Sequence, residues 1–181
     1  SGQICIRLRL KPLIKTRQAE SMTTYPAEEV SAALAAYVAL RDQIAAGQAT
    51  WTDLAELFTE DAVYIDPAWG RLQGKENLLE FFDESMRGLE GWEFPIEFTA
   101  ISGNTVVIKW TQQLPTRRAD GSRYEQSGIS TLVYAGDGKF CYEEDMLNMA
   151  HVIEDLTASG WRPGEGFMSP PKNPDRNFAR P

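Results

Sequence analysis

The chain has 181 residues, of which 43% are hydrophobic and 10% aromatic, and it carries a formal net charge of −8. This length and composition predict one globular domain, and the absence of any run of 18 apolar residues argues against a membrane-spanning helix and a membrane partner. The negative charge repels phosphate backbones, so nucleic acid is not expected as a partner. Two cysteines and a single histidine are too few for a disulfide framework or a histidine-rich metal site, and we expect reduced thiols, a cytoplasmic location and no metal.

The sequence divides into three regions. Residues 1–21 carry five Lys and Arg against Glu20 alone, and we interpret them as a disordered extension derived from a tag or from upstream sequence. Residues 22–160 have the periodicity of a folded domain. Residues 161–181 form a tail rich in Pro and Gly, which we expect either to wrap the surface or to be disordered.

Three helices are predicted in the first half of the domain. The first spans residues 26–46, and its apolar stripe places Tyr37 on the buried side. Thr50 begins a second, short helix with Asp53 in the capping-box position. Gly74 begins the third helix.

Strands dominate the second half. A short strand at 62–66 and a return strand at 70–72 precede the third helix. Period-two patterns then predict four long strands, at residues 93–101, 105–115, 123–135 and 139–147. A short helix is predicted after them, at residues 149–158. This order predicts an α+β fold in which the three helices pack on a curved, mostly antiparallel sheet.

Two strand faces can be assigned from the alternation. One face of the second long strand contains Val106, Ile108, Trp110 and Gln112. On the first long strand, Phe94, Ile96 and Phe98 alternate with Glu93 and Glu97. Because the strands at 105–115 and 123–135 are apolar on both faces, we expect a homodimer through the outer face of the sheet.

Asp66 is the leading candidate for a functional carboxylate. It lies where a strand ends at Pro67, with Tyr64 two residues before it and Trp69 three residues after. A carboxylate among aromatic side chains is a candidate general base. The alternative is a turn residue, since Asp before Pro commonly caps a loop.

A set of short motifs recurs along the domain, namely Leu57 to Val63, Asp66-Pro67, Gly74, Phe81-Phe82, and Asp137 to Phe140 before the last strand. These motifs resemble the nuclear transport factor 2-like (NTF2-like) superfamily, and in particular its SnoaL-like polyketide cyclase and ketosteroid isomerase subgroup. The resemblance covers about residues 28–156. The resemblance implies a cone-shaped fold with a small-molecule pocket. It is less specific for function, because the superfamily includes isomerases, cyclases, dehydratases, epoxide hydrolases and non-catalytic proteins.

The resemblance also implies roles for individual positions. Asp66 falls at the position of the ketosteroid isomerase proton shuttle, and Tyr37 at that of the oxyanion-hole tyrosine. The second oxyanion donor, a protonated Asp in those enzymes, falls at Ser130. Two further tyrosines of their hydrogen-bond network fall at Phe58 and Phe82.

A second acid is expected near the last strands, as in SnoaL-like cyclases. Glu125, Glu143, Glu144 and Asp145 are the candidates, and period-two counting cannot choose among the last three because one bulge reverses which residues point inward. We predict Asp145 and Glu144 as catalytic residues with Asp66 and Tyr37. The predicted ligand-binding residues are Tyr64, Trp69, Phe82, Trp110, Ser130 and Met146.

These observations predict a cofactor-independent acid–base enzyme of the isomerase, cyclase or hydrolase type. Its ligand is expected to be a small apolar molecule with a ring or a carbonyl group, and Asp66 is expected to be the general base. Two alternatives stay open, a non-catalytic module that binds an apolar ligand and a dimeric interaction module of the same fold.

Overall fold

The structure is a computed structural model that describes residues 24–180, so the extension predicted at residues 1–21 lies outside the described part. In chain order, the elements are α1 (Ala27–Ala45), a 3-10 helix (Trp51–Leu57), β1 (Phe58–Asp66), β2 (Gly70–Gln73), α2 (Lys75–Glu84), β3 (Ile96–Ser102), β4 (Thr105–Arg117), β5 (Arg123–Gly136), β6 (Lys139–Leu147) and α3 (Met149–Ser159). No helix in this part of the chain is both long and apolar enough to cross a membrane.

The helix starts follow local sequence signals. The capping box predicted at the second helix is present, with the Thr50 backbone N–H donating to Asp53 Oδ2 at 2.8 Å. Gly74 precedes α2 with a φ of 87°, a conformation that few residues other than glycine adopt. The two strands predicted between the second and third helices are present as β1 and β2, and the second helix is a 3-10 helix rather than an α-helix. Strand β1 also begins at Phe58 rather than Ala62, since Phe58 already pairs with Phe140.

The six strands form one mixed sheet in the order β2-β1-β6-β5-β4-β3. Strands β3 to β6 are an antiparallel meander joined by tight turns. Strand β1 pairs antiparallel with β2 and parallel with β6. The parallel pairing brings the end of β1, where Asp66 lies, beside the acidic end of β6.

The inner face of the sheet forms the core together with the helices. The predicted face of β4 is confirmed, because Val106 and Ile108 are fully buried and Trp110 and Gln112 are 7% and 9% exposed. The register aligns Ile108 with Ser130, and Ser130 with Asp145, in one row across β4, β5 and β6. Side chains of this row therefore point toward the helices.

The face predicted for Phe98 is wrong. Ile96 pairs with Trp110 on the inner side, but the register shifts between Ile96 and Phe98, and Phe98 pairs with Lys109. This bulge turns Phe98 to the outer face, where its side chain is 56% exposed. A single extra residue in a strand is enough to reverse the alternation beyond it.

The tail packs against the domain. The Trp161 ring contacts those of Trp92 and Phe167 edge-to-face. Further along, the Arg71 backbone N–H donates to the Asp175 carbonyl at 2.9 Å. Gly70 makes this approach possible, because a Cβ at that position would lie 2.5 Å from the Asp175 carbonyl oxygen.

Candidate functional site

A cavity of about 250 Å³ lies between the inner face of the sheet, the helices and the tail. Its walls are mainly apolar and aromatic, and include Trp51, Tyr64, Trp69, Phe81, Phe82, Trp92, Phe94, Trp110, Trp161 and Phe167. A smaller polar group also lines it, namely Tyr37, Arg41, Asp66, Gln112, Ser130, Glu143 and Asp145. Apolar walls with a few convergent polar groups are typical of small-molecule sites.

Asp66 borders this cavity at the end of β1. Its Oδ1 accepts hydrogen bonds from the backbone N–H groups of Ala68 and Trp69, each at 2.7 Å. Asp66 is therefore both a residue that caps the turn and a carboxyl group that lines the cavity. Burial raises the pKa of the Asp66 carboxyl, while the two backbone N–H groups oppose that rise because they stabilise the charged form.

Asp145 is held by two hydroxyl groups. Tyr64 Oη donates to Asp145 Oδ2 at 2.6 Å, and the Ser130 hydroxyl donates to Oδ1. Trp110 Nε1 in turn donates to Ser130 Oγ at 2.9 Å. Burial raises the pKa of Asp145 to about 6, and the charge of Asp66 adds to the rise, while the Ser130 and Tyr64 hydroxyls act in the opposite direction. Asp145 can therefore exchange a proton near neutral pH.

Glu143 faces the same cavity from two residues earlier on β6, and it is 1% exposed. The Tyr37 hydroxyl lies 3.1 Å from Glu143 Oε1. Burial raises the pKa of Glu143 well above its ordinary value, and the charge of Asp145 raises it further, against the opposing effect of Arg41. In this hydrogen bond the Tyr37 hydroxyl is the donor and the Glu143 carboxyl group is the acceptor.

Glu144 lies on the other face of β6, away from the cavity. The Tyr142 hydroxyl donates to Glu144 Oε2 at 2.7 Å, in an outer cluster that contains Val63 and Ile65. The acid that shares the cavity with Asp145 is therefore Glu143 rather than the predicted Glu144. Glu125, the remaining candidate, is exposed and bonds to Gln113.

The structure brings most of the other predicted residues together. Tyr37, Tyr64, Asp66, Trp69, Phe82, Trp110, Ser130 and Asp145 all line the cavity. Met146 does not, because it points to the outer face and is 65% exposed.

Arg41 and Gln112 had no predicted role in the cavity, whereas Glu143 was one of the four open candidates for the second acid, and Arg41 and Glu143 left a signal in the sequence. Arg41 lies one turn after Tyr37 on α1, where i and i+4 share a face, and its guanidinium stacks 4.6 Å from the Trp51 ring. Glu143 shares the parity of Asp145 on β6, so the choice of Asp145 implies Glu143. Gln112 was placed on the inner face of β4, but no local pattern gave it a role.

Comparison with known proteins places this architecture among relatives. The sequence profile of the SnoaL-like domain matches residues 34–143. No curated protein sequence matches the chain significantly.

Several solved structures are similar in fold. A protein of Jannaschia sp. CCS1 assigned as a SnoaL-like polyketide cyclase is 17% identical, with a TM-score of 0.57 over 72% of this chain and 93% of that one. A steroid delta-isomerase of Pseudomonas aeruginosa is 18% identical, with a TM-score of 0.54 over 75% and 94%. An LEH-like epoxide hydrolase of M. tuberculosis is 18% identical, with a TM-score of 0.53 over 73% and 92%. At these identities the similarity shows the NTF2-like α+β fold, which hosts cyclases, isomerases and epoxide hydrolases.

Proposed function

The chain belongs to the SnoaL-like domain family, and we propose that it is an acid–base enzyme that moves a proton on a small apolar molecule with a ring or a carbonyl group. One observation carries this proposal. The carboxyl groups of Asp66, Glu143 and Asp145 all face a single aromatic cavity, and burial raises the pKa of each. Carboxyl groups with perturbed pKa values that converge in an apolar pocket are typical of acid–base catalytic sites.

Asp66 is the proposed general base. Both backbone hydrogen bonds go to its Oδ1, so they fix the orientation of the carboxylate and leave Oδ2 for a proton on the ligand. For a carbonyl ligand, Asp66 takes a proton from the carbon next to the carbonyl group and returns it to the same or another carbon. A positioned base of this kind contributes roughly 100- to 10,000-fold to the rate.

Tyr37 is the proposed donor to the oxygen that becomes negative when the proton leaves. The Tyr37 hydroxyl donates to Glu143 Oε1 at 3.1 Å, and in this proposal the ligand oxygen takes the place of Glu143 as the acceptor. One such preorganised donor is worth about 3–4 kcal/mol of transition-state stabilisation. Ketosteroid isomerases have a protonated Asp at the position of Ser130, and the nearest counterpart in this cavity is Glu143, whose pKa burial raises well above its ordinary value.

Asp145 is the proposed second acid. With a pKa of about 6 it is present in both protonation states near neutral pH, so it can protonate the ligand or activate a water molecule. This role suits an isomerase, a cyclase or an epoxide hydrolase, and these are the activities named for the similar structures.

A proton-exchange assay tests the role of Asp66 without the natural ligand. The probe is 2-tetralone, an apolar bicyclic ketone, and NMR follows the exchange of its C1 protons in D2O. We expect the protein to accelerate exchange and Asp66→Asn to reduce the acceleration at least about 100-fold, because the amide cannot accept the proton. Glu144→Gln is the matched control, since it removes an acid from the same region but outside the cavity.

The outcomes separate catalysis from binding. Full exchange activity in Asp66→Asn, with an unchanged thermal unfolding profile, would remove Asp66 from the mechanism. Saturable binding of 2-tetralone without any accelerated exchange would instead favour a non-catalytic module, an alternative that the apolar side chains of Phe58 and Phe82 support.

We also propose that two copies of the chain pair through the outer face of the sheet. A row of aligned residues crosses four strands there, namely Phe98, Lys109, Ile129 and Met146. Phe98, Ile129 and Met146 are 56%, 39% and 65% exposed. Apart from Lys109, the row is therefore an exposed apolar patch, and patches of this kind are typical of protein interfaces.

A further inference from the structure

A chain of buried polar groups leads from the cavity to α3. Gln112 Nε2 donates to Gln126 Oε1 at 2.8 Å, and Gln126 Nε2 donates to Asp155 Oδ2 at 2.7 Å. Gln112, Gln126 and Asp155 are only 9%, 1% and 4% exposed. Buried polar side chains are costly unless each is hydrogen-bonded, so the chain has a fixed arrangement.

Asp155 sets the direction of this chain. Its carboxylate also accepts from Arg118 Nη2 at 2.8 Å, and His151 Nε2 lies 3.3 Å from Oδ2. A carboxylate accepts hydrogen bonds and donates none. The amide nitrogen of Gln126 must therefore point to Asp155, and its oxygen must point the other way.

The direction is transmitted to the cavity. Because Gln126 presents its oxygen to Gln112, the amide nitrogen of Gln112 points toward Gln126. The other amide atom of Gln112, Oε1, takes no part in this series of hydrogen bonds. No side chain within residues 24–180 donates a hydrogen bond to this oxygen, and Gln112 lines the cavity. Because this oxygen is accessible from the cavity, a ligand that occupies the space beside it must donate a hydrogen bond or leave it without a partner.

Gln112 is separated from Asp145 along the direction of the strands. It is four residues along β4 from Ile108, whose row contains Ser130 and Asp145, and four residues of an antiparallel strand span roughly 13 Å. A ligand whose reacting group meets the carboxyl groups thus presents its opposite end to Gln112.

We infer that Gln112 is a specificity residue, and that it selects apolar ring ligands with a hydrogen-bond donor, such as a hydroxyl group, at the end opposite the reacting carbonyl. This inference rests on the proposed function only in taking the cavity as the ligand site, and it does not require catalysis. Gln126 and Asp155 are positioning residues, because they act through Gln112 and do not line the cavity.

The test compares two ligands that differ at that end. 6-Hydroxy-2-tetralone can donate a hydrogen bond to Gln112, and 6-methoxy-2-tetralone can only accept one. Binding is measured by calorimetry or by quenching of tryptophan fluorescence. We expect the protein to bind the hydroxy compound roughly tenfold more tightly, as one buried hydrogen bond predicts.

Two variants and a control locate the effect. Gln112→Leu is expected to abolish the preference for the hydroxy compound. Asp155→Asn is expected to reduce the difference in affinity between the two compounds. An amide can donate as well as accept, so it no longer fixes the direction of the hydrogen bonds through Gln126 to Gln112. Gln113→Leu is the matched control, since Gln113 bonds to the exposed Glu125 instead, and it should keep the full preference.

Each result decides the inference. Equal binding of both ligands, failure of both to bind, or a preference that survives Gln112→Leu would overturn it. If Asp155→Asn does not fold, the comparison of Gln112→Leu with Gln113→Leu still decides. A preference without proton exchange would overturn only the proposed catalysis, and proton exchange without a preference would overturn only the role of Gln112.

Discussion

Asp145→Asn is expected to stabilise the protein at neutral pH and to alter the pH dependence of its unfolding. The half-buried carboxyl group lies at the cavity wall, where desolvation raises its pKa from 3.8 to about 6. The amide has similar shape, and it can still accept from Tyr64 or donate to the Ser130 oxygen. The substitution therefore removes the charge while largely keeping the hydrogen bonds.

The size and sign of the effect follow from proton linkage. Between about pH 4 and pH 6 the folded protein retains a proton on Asp145 that the unfolded chain has lost. The free energy of unfolding therefore falls as the pH rises through this window, by up to about 3 kcal/mol for this pKa difference. Glu143, whose pKa is also raised, adds a further loss of stability as the pH rises. In Asp145→Asn the loss of unfolding free energy caused by Asp145 is absent. The loss caused by Glu143 is smaller, because the charge of Asp145 no longer opposes ionisation of Glu143.

The measurement is equilibrium unfolding in urea from pH 4 to pH 8 at constant ionic strength, followed by tryptophan fluorescence. We expect the difference in unfolding free energy between variant and wild type to increase from pH 4 to pH 7 by up to about 3 kcal/mol in favour of the variant. Glu144→Gln removes an acid one residue away on the outer face, and it should follow the wild-type curve.

A difference that stays constant with pH would refute the reasoning. It would mean that Asp145 titrates alike in the folded and unfolded chains, and hence that the cavity does not penalise its charge. The proposed role of Asp145 as an acid near neutral pH would fall with it.

Two further predictions concern packing and assembly. Gly128→Ala is expected to destabilise the protein by about 1–3 kcal/mol in the same unfolding assay, because a Cβ there would lie 2.5 Å from the Trp110 ring and would displace the donor to Ser130; unchanged stability would contradict this packing. Phe98→Glu is expected to convert a dimer to a monomer in analytical ultracentrifugation, while Phe178→Glu, at an equally exposed aromatic residue of the tail, should leave the dimer intact. A monomeric wild-type protein would contradict the proposed interface.

Local patterns in the sequence were reliable where a single element decides the outcome. The period of two on β4 correctly placed Val106, Ile108, Trp110 and Gln112 on one face, because successive side chains of a regular strand point to opposite sides. The same rule failed at Phe98, where a bulge follows Ile96. No composition signal marks that bulge, because it depends on the pairing with β4.

The acids of β6 show the same limit at the candidate site. Glu143, Glu144 and Asp145 are consecutive, and one irregularity upstream decides which of them turn inward. Val133 pairs with Tyr142, but its neighbour Tyr134 pairs with Phe140. Cys141 is therefore an extra residue of β6 that has no partner position on β5. Counting from the last turn therefore could not distinguish Glu144 from Glu143.

The sequence by itself determined the SnoaL-like family, the α+β class, most helix and strand positions, and the choice of Asp66 and Tyr37 as candidate residues. These depend on local periodicity, on turn residues and on short motifs, all of which are written in contiguous sequence. Only the tertiary structure decided that Glu143 joins Asp145 in the cavity, and that Asp155 orients Gln112 through Gln126. Such contacts join residues tens of positions apart, and their geometry is set by strand register and by the direction of each hydrogen bond, neither of which a single sequence records.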